Sequence, residues 1–469
     1  MKKTKIFFLI TFFIVNASLL YAENNFNSPF FETDEFVSDV AHIPNGPTIL
    51  NDVSRKMKTP GYWISKLKNP DKVILTEQEI QKKNTNLFRK TVNVYNIAKY
   101  PAKVKTAALK KSQKQILRLF IGRKYIDSSF NEISKPAIQK IDATIAVPSK
   151  KYMDVKYAMT ISYCNVRLLP TDMNFLYDKQ TFDIDRAQVA ALDIGEPLIA
   201  LHQTKDKKWT YIISQIAEGW IKTESLAFTN KQRFSDWINA KSFVVVTEPK
   251  ADIFLDVKMT QYFDYVRMSA KLPIINYINR NIACIKIPYK SKKGSLIFKK
   301  GYIYMANVNK KYLKYTQRNV LIQAFKHLNS PYSWGGYDGE QDCSTFVRQV
   351  FGCFGFVLPR NSLAQIYSES NPINLKKDLS DEEKSKEIIN KASEATSLLY
   401  LPGHIMIYIG QEKGKPYAIH AIWGTEHSVN ENEKAISFIN RVIVSSLMIG
   451  DKTQKGHLLK RITKLATVK

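Results

Sequence analysis

From Ser344 onward, apolar side chains return at Phe346, Val347, Val350, Phe351 and Phe354, a spacing of three or four that predicts a helix with one buried face. The stretch before it, Pro331-Tyr332-Ser333-Trp334-Gly335-Gly336, has no such period and reads as a turn. Two later segments, 401–410 and 417–424, are apolar runs of strand length, and each holds one histidine, His404 and His420. From about Lys151 short β-type runs follow one another, at 167–171, 196–202, 209–213 and 219–221, with turn residues between them. Five or so such strands make a small barrel, and the runs 243–246, 282–287 and 301–305 predict a second. Nearer the start the texture is helical. Thr76 and Glu79 have the spacing of a capping box at a helix start over 76–84. In 99–124, Val104, Ala108, Ile116, Leu119 and Phe120 make an apolar stripe.

The chain has 469 residues, about three domains' worth, and its 44% hydrophobic content excludes a disordered protein. Residues 1–22 have the layout of a secretory signal: Lys2, Lys3 and Lys5, an apolar run over 6–15, and Ala17 to Ala22 as a small-residue exit. No later run is long enough to span a bilayer, so the expected location is periplasmic or secreted and associated with the cell wall. A net charge of +28 favours an anionic partner. With an export signal, that partner is the carboxylate-rich wall or an anionic headgroup, and nucleic acid is not expected. The densest basic stretch carries Lys103, Lys105, Lys110, Lys111, Lys114, Arg118, Arg123 and Lys124 without an acidic residue, and reads as a solvated helix face.

Cys343 falls where the turn gives way to the helix, with Asp342 and Ser344 flanking it. Free N–H groups of a first helical turn, together with a partner imidazolium, favour thiolate over thiol. A cysteine in that position, followed by two histidines on successive strands, is the pattern of nucleophilic catalysis. The oxyanion would be held by the Cys343 N–H and one side-chain donor. No Cys-x-x-Cys or His-x-x-x-His cluster is present, so neither a metal nor another cofactor is expected. Of the other cysteines, Cys353 reads as core, while a bridge between Cys164 and Cys284 is left open.

The run from Tyr332 to Val347, the later Leu358-Pro359-Arg360-Asn361-Ser362, and the Gly403-His404 and Ile419-His420-Ala421 strands together resemble the NlpC family of papain-like cysteine peptidases. The resemblance implies Cys343 as nucleophile, His404 as general base and acid, and His420 as the residue orienting His404. It also implies Tyr332 on the oxyanion side, with Asp342, Ser344, Arg360 and Ser362 contacting the amine and carboxylates of the substrate. The implied reaction is cleavage of the γ-D-glutamyl–diamino acid bond in peptidoglycan stem peptides. An amidase of the same class, or a wall-binding protein without activity, are the alternatives. The β runs resemble bacterial SH3-like modules. In related enzymes such a module recognises the first alanine, a role for which Asp183, Asp185 and Glu196 are candidates here. Thr345 stands where the family often has glycine, and the strand before His404 lacks the family's Gly-Asp opening.

The expected architecture is a signal over 1–22, a mostly helical N-terminal stabilising domain over 23–150, and SH3-like barrels over 151–230 and 231–310. A papain-like α+β catalytic domain over 311–469 completes it. The oligomeric state is not readable.

Overall fold

The computed structural model describes residues 50, 52–91, 94–369, 371–376, 378–430, 433–450 and 456–469, so the expected signal over 1–22 lies outside the described residues. The chain divides into two compact units. One contains Lys83–Tyr312 and, returning later, Ser333–Gly339; the other contains the described part of 22–82, Leu313–Tyr332 and Glu340–Lys469. Residues 23–150, expected as one domain, are thus shared between the units.

In the first unit the helix Thr106–Ile121 buries Leu109, Ile116 and Phe120, and its lysines point outward. Phe120 meets Phe175 edge-on at 4.8 Å, joining this helix to Ile133, Ile138 and Leu169 in one apolar cluster. Two seven-stranded sheets follow. The first runs in the spatial order Gln188–Leu192, Cys164–Arg167, Glu218–Lys222, Trp209–Ile213, Pro197–Gln203, Lys156–Thr160, Leu226–Thr229. The second runs Tyr262–Arg267, Lys250–Phe254, Leu296–Tyr304, Ile282–Lys290, Lys271–Tyr277, Phe243–Val246, Val308–Lys310. Every pairing is antiparallel, and neither sheet closes: its first and last strands are not bonded to each other. The expected barrels are therefore open sheets, because a run of strand-like segments says nothing about whether the outer two pair.

Asp185 is not available to a ligand. Its carboxylate lies 2.7 Å from the Arg167 guanidinium, both side chains being buried, and it accepts the Phe175 and Ala187 N–H groups. A second buried pair, Arg267 with Asp193 at 2.9 Å, ties the second sheet to the first. The returning segment Ser333–Gly339 is gripped here. Gly335 and Gly336 have φ of +70° and +75°, a region that glycine enters without strain. A Cβ on Gly335 would lie 2.3 Å from Gln188 Cγ, so the close approach permitted by this glycine is to protein and not to a ligand. The Tyr163 hydroxyl donates to Gly336 O, and Gln188 Nε2 donates to Gly335 O at 3.4 Å.

In the second unit the helices α1 (Gln317–Lys326), α2 (Cys343–Gly352), α3 (Ser362–Ser368) and α4 (Asp381–Lys391) accompany one antiparallel sheet. Its strands are β1 (Ile373–Asn374), β2 (Ser397–Leu401), β3 (His404–Glu412), β4 (Lys415–Asn430), β5 (Glu433–Ser446) and β6 (Lys464–Thr467), in the order β1-β6-β2-β3-β4-β5. This is the α+β layering expected of the C-terminal region. Helix α2 packs on β3 and β4 and buries Phe346, Val347, Val350 and Phe351. The segment around Trp63 belongs to this unit. Trp63 is fully buried, donates to Met57 O at 2.8 Å, and stacks obliquely on Tyr417 at 5.4 Å. The capping box forms as read, with Thr76 N–H donating to Glu79 Oε2 at 2.7 Å.

Candidate active site

Cys343 is the first residue of α2. Asp342 caps that helix, its Oδ1 accepting the Thr345 N–H at 2.8 Å. Between β2 and β3 the chain turns through only Pro402 and Gly403, and Gly403 takes φ of +82° to close the hairpin. This turn faces the nucleophile position: Gly403 O lies 4.0 Å from Cys343 Sγ.

The two histidines are brought together by register. Ile407 pairs with Ile419, so His404, three residues before one, and His420, one residue after the other, share a face of the sheet. On that face His404 Nε2 lies 2.8 Å from His420 Nδ1. On the next strand His420 pairs with Ile443, and Ser445, two residues on, returns to the same face. Its Oγ lies 3.0 Å from His420 Nε2. A diagonal row across three strands results, His404 to His420 to Ser445. Sequence reasoning missed Ser445, a serine in an apolar strand whose register could not be read.

Burial sets the protonation states. Cys343 is 7% exposed, and burial, reinforced by the Asp342 charge, pushes its thiol up to about 12 against the opposing pull of the Ile405 and Ser344 N–H groups. The thiolate expected from the helix start alone is therefore not the resting form, because desolvation outweighs the N–H groups. Burial likewise drives His404 well below its ordinary value, with help from His420 and Arg461, and takes His420 down to about 3. Burial thus favours the thiol at Cys343 and the neutral imidazole at both His404 and His420.

The residues expected to contact substrate fall into two groups. Asp342, Ser344 and Arg360 form a closed triangle: Arg360 Nη2 donates to Asp342 Oδ2 at 2.5 Å, Arg360 Nη1 to Ser344 Oγ at 2.8 Å, and Ser344 Oγ to Asp342 Oδ1 at 3.0 Å. Burial alone would raise the Asp342 carboxyl, but the guanidinium and the Thr345 N–H hold it below the usual carboxylate range. An amine can reach Asp342 only by displacing part of this set. Tyr332 is half-buried and bridges to Gln341, two residues before Cys343, and Ser362 opens α3 behind its Asn361 cap. Cys353 is core, with Sγ 3.5 Å from Gln349 O, and Cys164 and Cys284 are free thiols buried in different sheets.

Residues 329–446 match the model of the NlpC/P60 family. The chain carries an NlpC/P60 domain. Residues 174–222 match the SH3 domain of SH3b1 type, within the first open sheet. Among solved structures, an NlpC/P60 endopeptidase from Photobacterium damselae subsp. piscicida is similar over 87% of this chain and 96% of that chain, at 20% identity and a TM-score of 0.71. An NlpC/P60 family protein from Bacillus cereus ATCC 10987 aligns over 66% of this chain and 98% of that chain, at 15% identity and a TM-score of 0.46. NlpC2 from Trichomonas vaginalis aligns over 63% and 97%, at 13% identity and a TM-score of 0.23. The first of these shares the fold. No curated protein matches the chain. NlpC/P60 is a cysteine peptidase family, and its presence with an SH3b module points to hydrolysis of peptidoglycan. Among the described residues no helix is long and apolar enough to cross a membrane.

Proposed function

We propose that the chain is an exported cell-wall hydrolase that cuts the γ-D-glutamyl–diamino acid bond of peptidoglycan stem peptides, with Cys343 as nucleophile. One observation carries the reading: His404 Nε2 is bonded to His420 Nδ1 at 2.8 Å, on the strand pair whose opening turn touches Cys343 Sγ. His420 thus occupies one ring nitrogen of His404, and the other, Nδ1, remains to act as base.

In this reading His404 takes the thiol proton as sulfur attacks the γ-carbonyl of D-glutamate. The C–S bond forms while the carbonyl pair moves to oxygen, which the Cys343 N–H and Tyr332 stabilise. Collapse breaks the C–N bond, and His404 returns the proton to the departing amine. Water, deprotonated by His404, then hydrolyses the thioester and frees the thiol. A protonated resting thiol suits general-base attack, since the proton leaves only as the bond forms. Asp342, Ser344, Arg360 and Ser362 border the substrate, and the SH3b module supports binding to the wall.

Digestion of purified sacculi followed by mass spectrometry tests this. The proposal expects fragments ending in the free γ-linked D-glutamate carboxyl and fragments beginning with the diamino acid. Release of whole stems would instead mark an amidase, and no new ends would mark a binding protein.

A further inference from the structure

The row His404, His420, Ser445 admits two arrangements of protons, and only one of them leaves a base. A hydroxyl oxygen both donates and accepts, so it can meet either tautomer of the His420 ring. If His420 carries its proton on Nδ1, that proton is donated to His404 Nε2, and the neutral His404 ring must then hold its own proton on Nδ1. Such a ring cannot accept a proton from sulfur there. If His420 carries its proton on Nε2, Ser445 Oγ accepts it across 3.0 Å, and His420 Nδ1 is bare to accept from His404 Nε2 across 2.8 Å. His404 Nδ1 is then free to serve as base. His420 is fully buried and Ser445 is 1% exposed, so bulk water does not stand in for the hydroxyl.

We propose that Ser445 is a positioning residue whose hydroxyl supplies the acceptor that a buried His420 Nε2–H needs, so that the tautomer leaving the basic nitrogen of His404 unprotonated carries no unsatisfied donor. The inference rests on the reading of Cys343, His404 and His420 as the reacting unit. Ser445 is bonded to His420, and its effect passes through that ring. The same arrangement serves the charged intermediate: once His404 holds two protons, its Nε2–H still donates to a bare Nδ1, so no tautomer change interrupts the cycle.

The test uses the full chain labelled with 15N-histidine. Long-range 1H–15N spectra are expected to show His420 protonated on Nε2 in the wild type, and Ser445→Ala is expected to lose that single tautomer. Ser445→Thr, which keeps the hydroxyl, should retain it. On the peptide L-Ala-γ-D-Glu-diaminopimelate, Ser445→Ala should lower kcat roughly ten- to a hundredfold with little change in KM, and Ser445→Thr should recover most of it. A wild-type His420 protonated on Nδ1, or a Ser445→Ala protein with unchanged tautomer and kcat, would overturn the proposal. The wild-type spectrum reads the proposal without any variant or substrate. Failure of wild-type protein to cut the peptide while His420 shows the Nε2–H form would instead count against the proposed function alone.

Discussion

Replacing Asp342 by asparagine separates the two things this carboxylate does. Asparagine keeps the shape and the cap, since its oxygen still accepts the Thr345 N–H, but it removes the charge that faces Arg360 at 2.5 Å. The two side chains are only 7% and 12% exposed, so the guanidinium is left without its counter-charge in a place where water cannot replace it. Breaking such a buried pair from one side costs about 3–5 kcal/mol. Asp342 also acts on its neighbour, being the largest contribution after burial to the raised thiol of Cys343. The variant should therefore be less stable and yet have a more acidic thiol. Urea denaturation reads the first effect, and the rate of Cys343 alkylation by iodoacetamide against pH reads the second. In the wild type that rate should climb as pH rises above neutrality, since thiolate is scarce below about 12, and in Asp342→Asn the whole curve should move to lower pH. A loss of stability below about 1 kcal/mol, or an alkylation profile unmoved by the substitution, would refute the account of this triangle.

Two further outcomes follow from buried groups. His327 is fully buried, has no hydrogen-bond partner on either ring nitrogen among the described residues, and is taken by burial to about 3. The unfolded ring binds a proton below about 6.5 and the folded one does not, so stability is full above that pH and falls toward pH 3. Between pH 6.5 and 5 the loss is about 2 kcal/mol, and His327→Phe should remove that share of the acid sensitivity in paired melts at pH 7 and 5; equal slopes in both proteins would contradict it. At Gly339, φ is +75° and an added Cβ would lie 1.9 Å from the Tyr265 hydroxyl. Gly339→Ala should cost at least about 1 kcal/mol in thermal melts, part of it recovered by Tyr265→Ala, and an alanine variant as stable as wild type would show that the grip on Ser333–Gly339 is loose.

Much of the site could be read from sequence because its signals are local. The apolar period after Ser344 places Cys343 at a helix start, and the apolar runs around His404 and His420 place both rings on strands. Helix Thr106–Ile121 buries Ile116 and Phe120 of the stripe read for it, while Leu109 takes the place given to Ala108, a slip of one position within the same helical face. What could not be read depends on long-range pairing. Ser445 reaches His420 only through the β4–β5 register, which shifts at Ile422/Gly424, so no count of intervening residues predicts the contact. Closure of the sheets depends on their outer strands, and the state of the Cys343 thiol depends on burial, which overrides the helix start. The enclosure of Asp342 arises from Arg360, eighteen residues later, and makes this carboxylate first a structural group.

In the proposed reaction Cys343 forms the bond to substrate. Single-turnover cleavage of L-Ala-γ-D-Glu-diaminopimelate, followed by mass spectrometry with folding checked by circular dichroism, decides whether it does. Wild-type protein and Cys353→Ala should release L-Ala-γ-D-Glu, and equally well-folded Cys343→Ala should release none. Substantial turnover by folded Cys343→Ala would contradict the claim.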